Sequence, residues 1–185
     1  MTPTIVPFAE GQKRLDWLTL VAALELGHQG PKAEINDLFL YRGTDTLLSR
    51  SAWIDGMGLL TKTATIFPGN SKSGQPIVGG GVMLFDDQDG QLSAMIDFHL
   101  ITKWKTAGDS LMAALALAPV GVRKILIVGA GTVGKSLLEA FSVGFPDANF
   151  TIWNRSHAGA QAFAKATGAV VAVDLETVVR TADII

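Results

Sequence analysis

The stretch Lys124–Ser136, KILIVGAGTVGKS, constrains this chain more than any other. An apolar run, Ile125 to Val128, leads straight into Gly129-Ala130-Gly131-Thr132-Val133-Gly134, and a helix-forming Ser136-Leu-Leu-Glu-Ala-Phe follows. Strand, glycine turn and helix in that order make a phosphate-binding loop. Gly129 allows the tight turn, Gly131 the close approach of a pyrophosphate, and Gly134 close packing of helix on strand. The helix N-terminus adds free N–H groups and the positive end of a dipole. The same residues also spell G-x-x-x-x-G-K-S through Gly129, Gly134, Lys135 and Ser136, the loop of triphosphate-binding proteins. On its own the stretch supports both chemistries.

The next strands weigh between them. A triphosphate loop needs a second apolar strand that ends in Asp to hold magnesium, and Val170–Asp174 offers one. Against it, Asn149–Trp153 begins about 20 residues after the first strand ends and closes in polar residues, the spacing of a dinucleotide βαβ unit. Asp or Glu at that second strand end would favour NAD; this chain has Asn154-Arg155-Ser156. These three can receive a 2′-phosphate, Arg155 bringing a planar fork and a charge, and no carboxylate repels it. The expected cofactor is NADP(H), with NAD(H) as the alternative.

The 185 residues suffice for one domain, or for a small domain and part of another. With 48% hydrophobic and 17% charged residues the chain belongs with folded globular proteins. A net charge of −2 without a Lys/Arg cluster gives no electrostatic reason to expect nucleic acid or an anionic membrane as partner. The absence of cysteine excludes disulfides, thiolate metal sites and a cysteine nucleophile. MTPTIVPFAEGQK lacks the basic and apolar regions of a signal peptide, and no apolar run reaches the roughly 18 residues of a membrane span. A soluble, cytoplasmic protein is expected.

In chain order, residues 12–28 carry Leu15, Leu18, Val21, Ala22 and Leu26 at helical spacing, with Trp17, Leu20 and Leu24 widening the apolar face. From Glu34 to Phe85 the period shortens. Phe39-Leu-Tyr, Thr46-Leu-Leu, Ser51-Ala-Trp-Ile and Leu60–Phe67 read as strands, Pro68-Gly-Asn as a loop, and Gly80–Phe85 with Gln91–Ile96 as a hairpin turning at Asp89-Gly90. A mixed, largely antiparallel sheet follows from this. Residues 99–118 form a long helix stopped by Pro119 and left through Gly121. After the glycine loop come the strand Asn149–Trp153, a helix near 158–167, a strand Ala169–Val173, a short helix near 175–181, and Asp183-Ile-Ile as the start of a fourth strand. The fold class is thus α/β: an α+β domain over 1–118, connecting helix included, then a Rossmann-type domain over 119–185. A parallel sheet that stops at its fourth strand leaves an open edge, so an incomplete chain is expected.

Four blocks together resemble the ornithine cyclodeaminase/mu-crystallin family: Gly58–Asn70 (GLLTKTATIFPGN), Asp97–Asp109 (DFHLITKWKTAGD), Ile125–Gly134 and Ile152–Ser156 (IWNRS). Order and spacing match over most of residues 35–185. The most specific block is the middle one, Thr102-x-x-Lys105-Thr106-Ala107. The resemblance argues against the triphosphate reading. It implies an α+β platform that dimerises, a Rossmann domain, a site between the two, and NAD(P) used for hydride transfer at the α-carbon of amino or imino acids.

Carried over residue by residue, Lys62 matches the family's substrate-facing lysine, which binds the carboxylate or the reacting nitrogen; the alternative is an exposed strand lysine. An ammonium suits that task, since it can pair with a carboxylate and polarise a C=N bond. Lys105 stands where the family usually has Arg, replacing a bidentate fork by a point charge. Thr106 matches a cofactor- or site-lining threonine, a helix cap being the alternative. For the upstream substrate arginine, Arg50 is preferred to Arg42. Gly129, Ala130, Gly131, Thr132, Val133 and Gly134 would hold the pyrophosphate, and Asn154, Arg155 and Ser156 the ribose end. The family's acid/base aspartate belongs to a region after the Rossmann midpoint, and Asp174 lies at the wrong strand end to replace it. His28, His99 and His157 lack metal-site spacing, and Trp53, Trp104 and Trp153 read as packing residues.

The activity expected is NADP(H)-dependent reduction of a small amino or cyclic imino acid such as 1-pyrroline-2-carboxylate. Ornithine cyclodeamination with recycled cofactor is one alternative. A non-catalytic NADPH-binding protein of the crystallin kind is the other.

Overall fold

A computed structural model of the protein describes residues 2–185. The chain divides into two compact units, the first taking residues up to Leu15 and Leu26–Thr102, the second Asp16–Glu25 and Lys103–Ile185. The boundary between the two units falls inside the long connecting helix, most of whose turns pack with second-unit residues, as described below.

The first unit is built on a six-stranded sheet. Its strands are β1 (Thr4–Val6), β2 (Glu34–Arg42), β3 (Asp45–Ile54), β4 (Gly58–Ile66), β5 (Val78–Phe85) and β6 (Leu92–Asp97). Their order is β1-β6-β5-β4-β3-β2, antiparallel throughout except for β1, which runs parallel to β6. The strands run longer than the short apolar segments suggest, since polar residues also pair across them: Ser49 with Thr63 and Ser51 with Thr61, each hydroxyl pair at 2.9 Å. The β5–β6 hairpin turns over Asp86–Gln91, where Asp86 N–H donates to Gln91 C=O at 2.9 Å and Gly90 supplies φ +69°. Pro68–Lys72 is a 3-10 turn rather than an open loop, with Pro at its start. A short helix α1 (Phe8–Gln12) approaches Leu100 so closely at Gly11 that a Cβ there would lie 2.1 Å from Leu100 Cδ2. Val82, Phe98 and Leu100 are buried in this unit.

Helix α2 spans Trp17–Gln29 and α3 spans Phe98–Leu117. The helical pattern expected over 12–28 is broken ahead of Trp17, where Asp16 Oδ1 accepts from Thr19 N–H at 2.9 Å and starts α2 afresh. In the second unit Trp17 stacks on Trp104 with ring centroids 3.9 Å apart, and Leu20 and Leu24 lie over Gly108. A Cβ on Gly108 would sit 2.8 Å from Leu20 Cδ2, and one on Gly144 would sit 2.5 Å from Leu111 Cδ1. Two glycines thus let α2 and helix α4 (Thr132–Gly144) close on α3. Lys103 and Glu139 bridge α3 and α4 at 2.5 Å.

The second unit holds a parallel sheet, β7 (Lys124–Val128), β8 (Asn149–Trp153) and β9 (Val170–Val171), in the order β7-β8-β9. Helices α4 (Thr132–Gly144), α5 (His157–Thr167) and α6 (Leu175–Val179) alternate with the strands. The third strand is shorter than Ala169–Val173: Val173 is exposed and Asp174 turns out to cap α6, accepting from Thr177 N–H at 2.8 Å. Ile184 bridges Ile125 in parallel on the other side of β7. Asp183 fixes that approach by accepting from the N–H groups of Arg123 and Lys124, both at 2.8 Å, which hold its carboxyl below the ordinary range. Ile127, Ile152, Ala160 and Phe163 form the core between sheet and α5. Burial of Ile127, Ile152 and Phe163 stabilises the fold by about 1.5–3 kcal/mol each. No helix among the described residues is long and apolar enough to cross a membrane.

Candidate functional site

Two clusters of candidate residues emerge, one in each unit. In the first, Arg50 of β3 and Lys62 of β4 are register partners. Directly opposed residues of neighbouring strands project to the same sheet face, so the two cations are neighbours. Asp37 of β2 continues the row on one side, and Val82 of β5 on the other. Arg50 is gripped by Asp37, Nε to Oδ1 and Nη2 to Oδ2, each at 2.6 Å. That pairing holds the Asp37 carboxyl below its ordinary value and raises Arg50 above its own. It orients the guanidinium, and a guanidinium has five N–H donors, so a second carboxylate can still be met. Arg42, the other candidate, is at the β2–β3 turn in an ion pair with Asp45 at 2.9 Å.

Lys62 is half-buried, as an exposed strand lysine would not be. Its Nζ donates to Thr102 Oγ1 at 2.9 Å and lies 4.7 Å from the centre of the Phe98 ring. Neither neighbour was among the sequence candidates. Thr102 belonged to the Thr-x-x-Lys block and could have been singled out from it; Asp37 had no local signal, since only strand register brings it to Arg50.

Lys105 and Thr106 belong to the second unit. Lys105 is exposed and paired with Asp109 one turn along α3. Thr106 does not cap the helix. Asp97 does, accepting from Leu100 N–H at 2.9 Å, and Thr106 lies more than two turns further on.

The second cluster is the glycine loop at the C-terminal end of β7. Its place is a topological switch point, because β8 lies on one side of β7 and Ile184 on the other, and ligands of open α/β sheets bind there. Gly129 takes φ +117°. A Cβ at Gly134 would lie 2.2 Å from Gly129 O, so only glycine lets α4 start so close to the strand. Gly131 is the N-cap of α4 and no side chain caps the helix. A Cβ at Gly131 would meet nothing within 4 Å: the space before the helix is open. Lys135 N–H makes the turn's bond to Gly131 C=O at 3.1 Å, which leaves earlier N–H groups for an anion. These features fit a pyrophosphate.

The second strand end divides its labour. Asn154 Oδ1 accepts from Ala130 N–H at 3.2 Å, and its Nδ2 donates to Ser156 C=O at 3.0 Å. Ser156 caps α5 by accepting from Gly159 N–H at 3.3 Å. Ala130, Asn154 and Ser156 therefore knit the two loops together, and Arg155 is the exposed cation between them. Residues of the triphosphate reading are committed elsewhere: Ser136 is buried with its hydroxyl on Thr132 C=O at 3.0 Å, and Asp174 caps α6.

Fold and site define the class: an α/β protein joining an antiparallel platform unit to a Rossmann-type unit. The chain belongs to the ornithine cyclodeaminase/mu-crystallin family, whose sequence profile matches residues 54–185. It is 43% identical over 160 residues to the Delta(1)-pyrroline-2-carboxylate reductase of Paracoccus denitrificans (strain Pd 1222), an alignment covering 86% of this chain and 51% of that protein. It is 34% identical over 129 residues to the ketimine reductase mu-crystallin of Mus musculus, covering 69% of this chain and 41% of the relative. The chain thus spans about half the length of the curated relatives it matches. Among solved structures, the Delta(1)-pyrroline-2-carboxylate reductase of Thermococcus litoralis in complex with NADH and L-proline superposes with a TM-score of 0.82, over 98% of this chain and 60% of that one. At 18% identity that is a likeness of fold.

Proposed function

We propose that the protein takes part in the NADP(H)-dependent reduction of a small cyclic imino acid of the 1-pyrroline-2-carboxylate kind. The observation that carries this reading is the register pairing of Lys62 with Arg50 on one face of the platform sheet. Two adjacent cations there match a substrate with a carboxylate next to a C=N bond. The Lys62 ammonium donates a hydrogen bond to the imine nitrogen and moves a proton to it, while Arg50, aligned by Asp37, pairs with the carboxylate. The chemistry supplied by a bound reduced nicotinamide is hydride transfer to the α-carbon, which balances as C=N plus hydride plus proton giving CH–NH. In the second unit Gly129, Gly131, Thr132, Val133 and Gly134 hold the pyrophosphate; Ala130 and Asn154 keep the loop in shape. Likeness to the Paracoccus and mouse reductases supports the reaction class.

Arg155 is the group we assign to the 2′-phosphate and hence to the preference for NADP(H). Arg155→Ala is expected to raise the Kd for NADPH roughly 10- to 100-fold, the loss of one or two charge-assisted bonds, with that for NADH nearly unchanged. Nicotinamide fluorescence titration measures both. Equal weakening of the two cofactors would overturn the assignment. A homodimer is part of the same proposal: Leu38, Leu40, Trp53, Met95 and Ile5 are exposed, and strand register places them on the sheet face opposite Lys62, a patch suited to a second copy.

The deciding assay is NADPH oxidation with pyrroline-2-carboxylate. Turnover is expected; none across a panel of cyclic imino acids would sink the reading. Ammonia release from ornithine without added reductant would put a cyclodeaminase in its place, and tight NADPH binding without any turnover would point to a binding protein.

A further inference from the structure

Lys62 is held by the first turn of α3 through a chain of contacts that runs back to β5. Thr102 donates its own hydroxyl proton to Phe98 C=O, one turn earlier, at 2.8 Å. Its oxygen therefore presents lone pairs to Lys62 Nζ, 2.9 Å away, and the hydroxyl has a fixed role as acceptor. The Phe98 ring lies under the same ammonium at 4.7 Å and is itself buried. What admits that ring is Gly80 of β5. A Cβ there would lie 2.7 Å from Phe98 Cδ2 and 3.0 Å from Cε2, and also 2.0 Å from Thr63 O. Asp97 sets the helix start by accepting from Leu100 N–H, so Phe98 and Thr102, four residues apart, face the same way. Val82, buried and in register with Lys62, closes the side towards β5.

We infer that the first turn of α3 is a seat for the Lys62 ammonium, with Phe98 and Thr102 as its positioning residues and Gly80 as the gap that lets the ring in. The inference rests on the reading of Lys62 as the group at the substrate nitrogen. A π face below and a hydroxyl oxygen beside it fix where the ammonium sits and how its N–H bonds point. A proton donor held this way is placed before substrate arrives. Loosening it costs turnover more than binding, since the interaction it makes matters most as charge shifts in the transition state.

The test uses the whole chain with lysine labelled at the ε-carbon, the Lys62 signal being assigned by its absence in Lys62→Met. A ring beneath the ammonium shifts that signal upfield of the other lysines. Phe98→Leu is expected to return it to the ordinary position; Phe98→Tyr, which keeps a ring and guards against misfolding, should leave it upfield. Thr102→Val is expected to lower kcat about 10-fold, the worth of a hydrogen bond to a charged group, with KM changed less than about threefold. Thr102→Ser should restore kcat. A Lys62 signal at the ordinary lysine position, or one unmoved by Phe98→Leu, overturns the seat. So does a Thr102→Val enzyme that loses KM instead of kcat. If the signals behave as stated but the unaltered protein turns over no imino acid, the seat stands and the reading of the reaction falls.

Discussion

Gly134→Ala is expected to cut NADPH affinity at least about 100-fold while lowering stability only modestly, by about 1–2 kcal/mol. The added Cβ would lie 2.2 Å from Gly129 O, with Gly129 C and Ile127 Cγ2 both at 3.4 Å. The nearest obstacle is backbone, which cannot rotate away, so the turn between β7 and α4 must open. Two effects compete in the fold. Overpacking costs about 1–3 kcal/mol, and Ala gains back as much as 1 kcal/mol over Gly in a helix. Binding has no such compensation, because an opened turn displaces the N–H groups at the start of α4 that would face the pyrophosphate. The companion change is Gly131→Ala. Gly131 has φ −83° and open space where its Cβ would go. That variant should melt within a degree or two of the unaltered protein, since the poorer N-cap that Ala makes and its smaller loss of chain entropy at an unstrained φ offset each other, yet bind NADPH more weakly because the methyl group occupies the phosphate's approach. Thermal melts and fluorescence titrations on both variants separate the glycine that shapes the loop from the one that leaves room for a ligand. Full affinity in Gly134→Ala would mean that this loop binds nothing of the kind.

How well the sequence revealed each part follows from how each part is buried. In the parallel sheet β7, with Ile125, Leu126 and Ile127 all buried, reads as a plain apolar run, and it and Asn149–Trp153 lie where the pattern placed them. The third strand was overestimated because Val173 is apolar but exposed, and hydrophobicity alone does not show that Asp174 will cap a helix. In the platform the pattern marked only fragments of β2 and β3, whereas Leu60–Phe67 took in nearly all of β4. There the pairing is carried by Ser49, Ser51, Thr61 and Thr63 as much as by Leu and Ile, and polar cross-strand partners leave no periodic trace. The site divides the same way. Lys62 and the glycines stand in recognisable blocks. The grip of Asp37 on Arg50, and the bond from Ala130 to Asn154, join residues 13 and 24 apart through register and loop geometry, which a linear pattern does not encode.

Lys62→Ala is expected to abolish imino-acid turnover, with kcat down at least about 1000-fold, and to leave NADPH affinity within about twofold. The separation is structural. Lys62 makes its described contacts within the first unit, with Thr102 and Phe98, while the glycine loop and Arg155 belong to the second. Truncation removes a half-buried aliphatic stem as well as the charge, so some stability is lost: the Phe98 ring and the Thr102 oxygen lose their partner. Lys62→Met controls for this by keeping the length of the stem. If the ammonium supplies the proton, Met should be as inactive as Ala but more stable. If Lys62 served only to pack against Phe98, Met should retain most of the activity. Lys62→Arg keeps a cation but enlarges the head, and a guanidinium gives up no proton near neutrality. Substrate binding with little turnover in that variant would assign Lys62 to proton donation, whereas recovered turnover would assign it to charge alone.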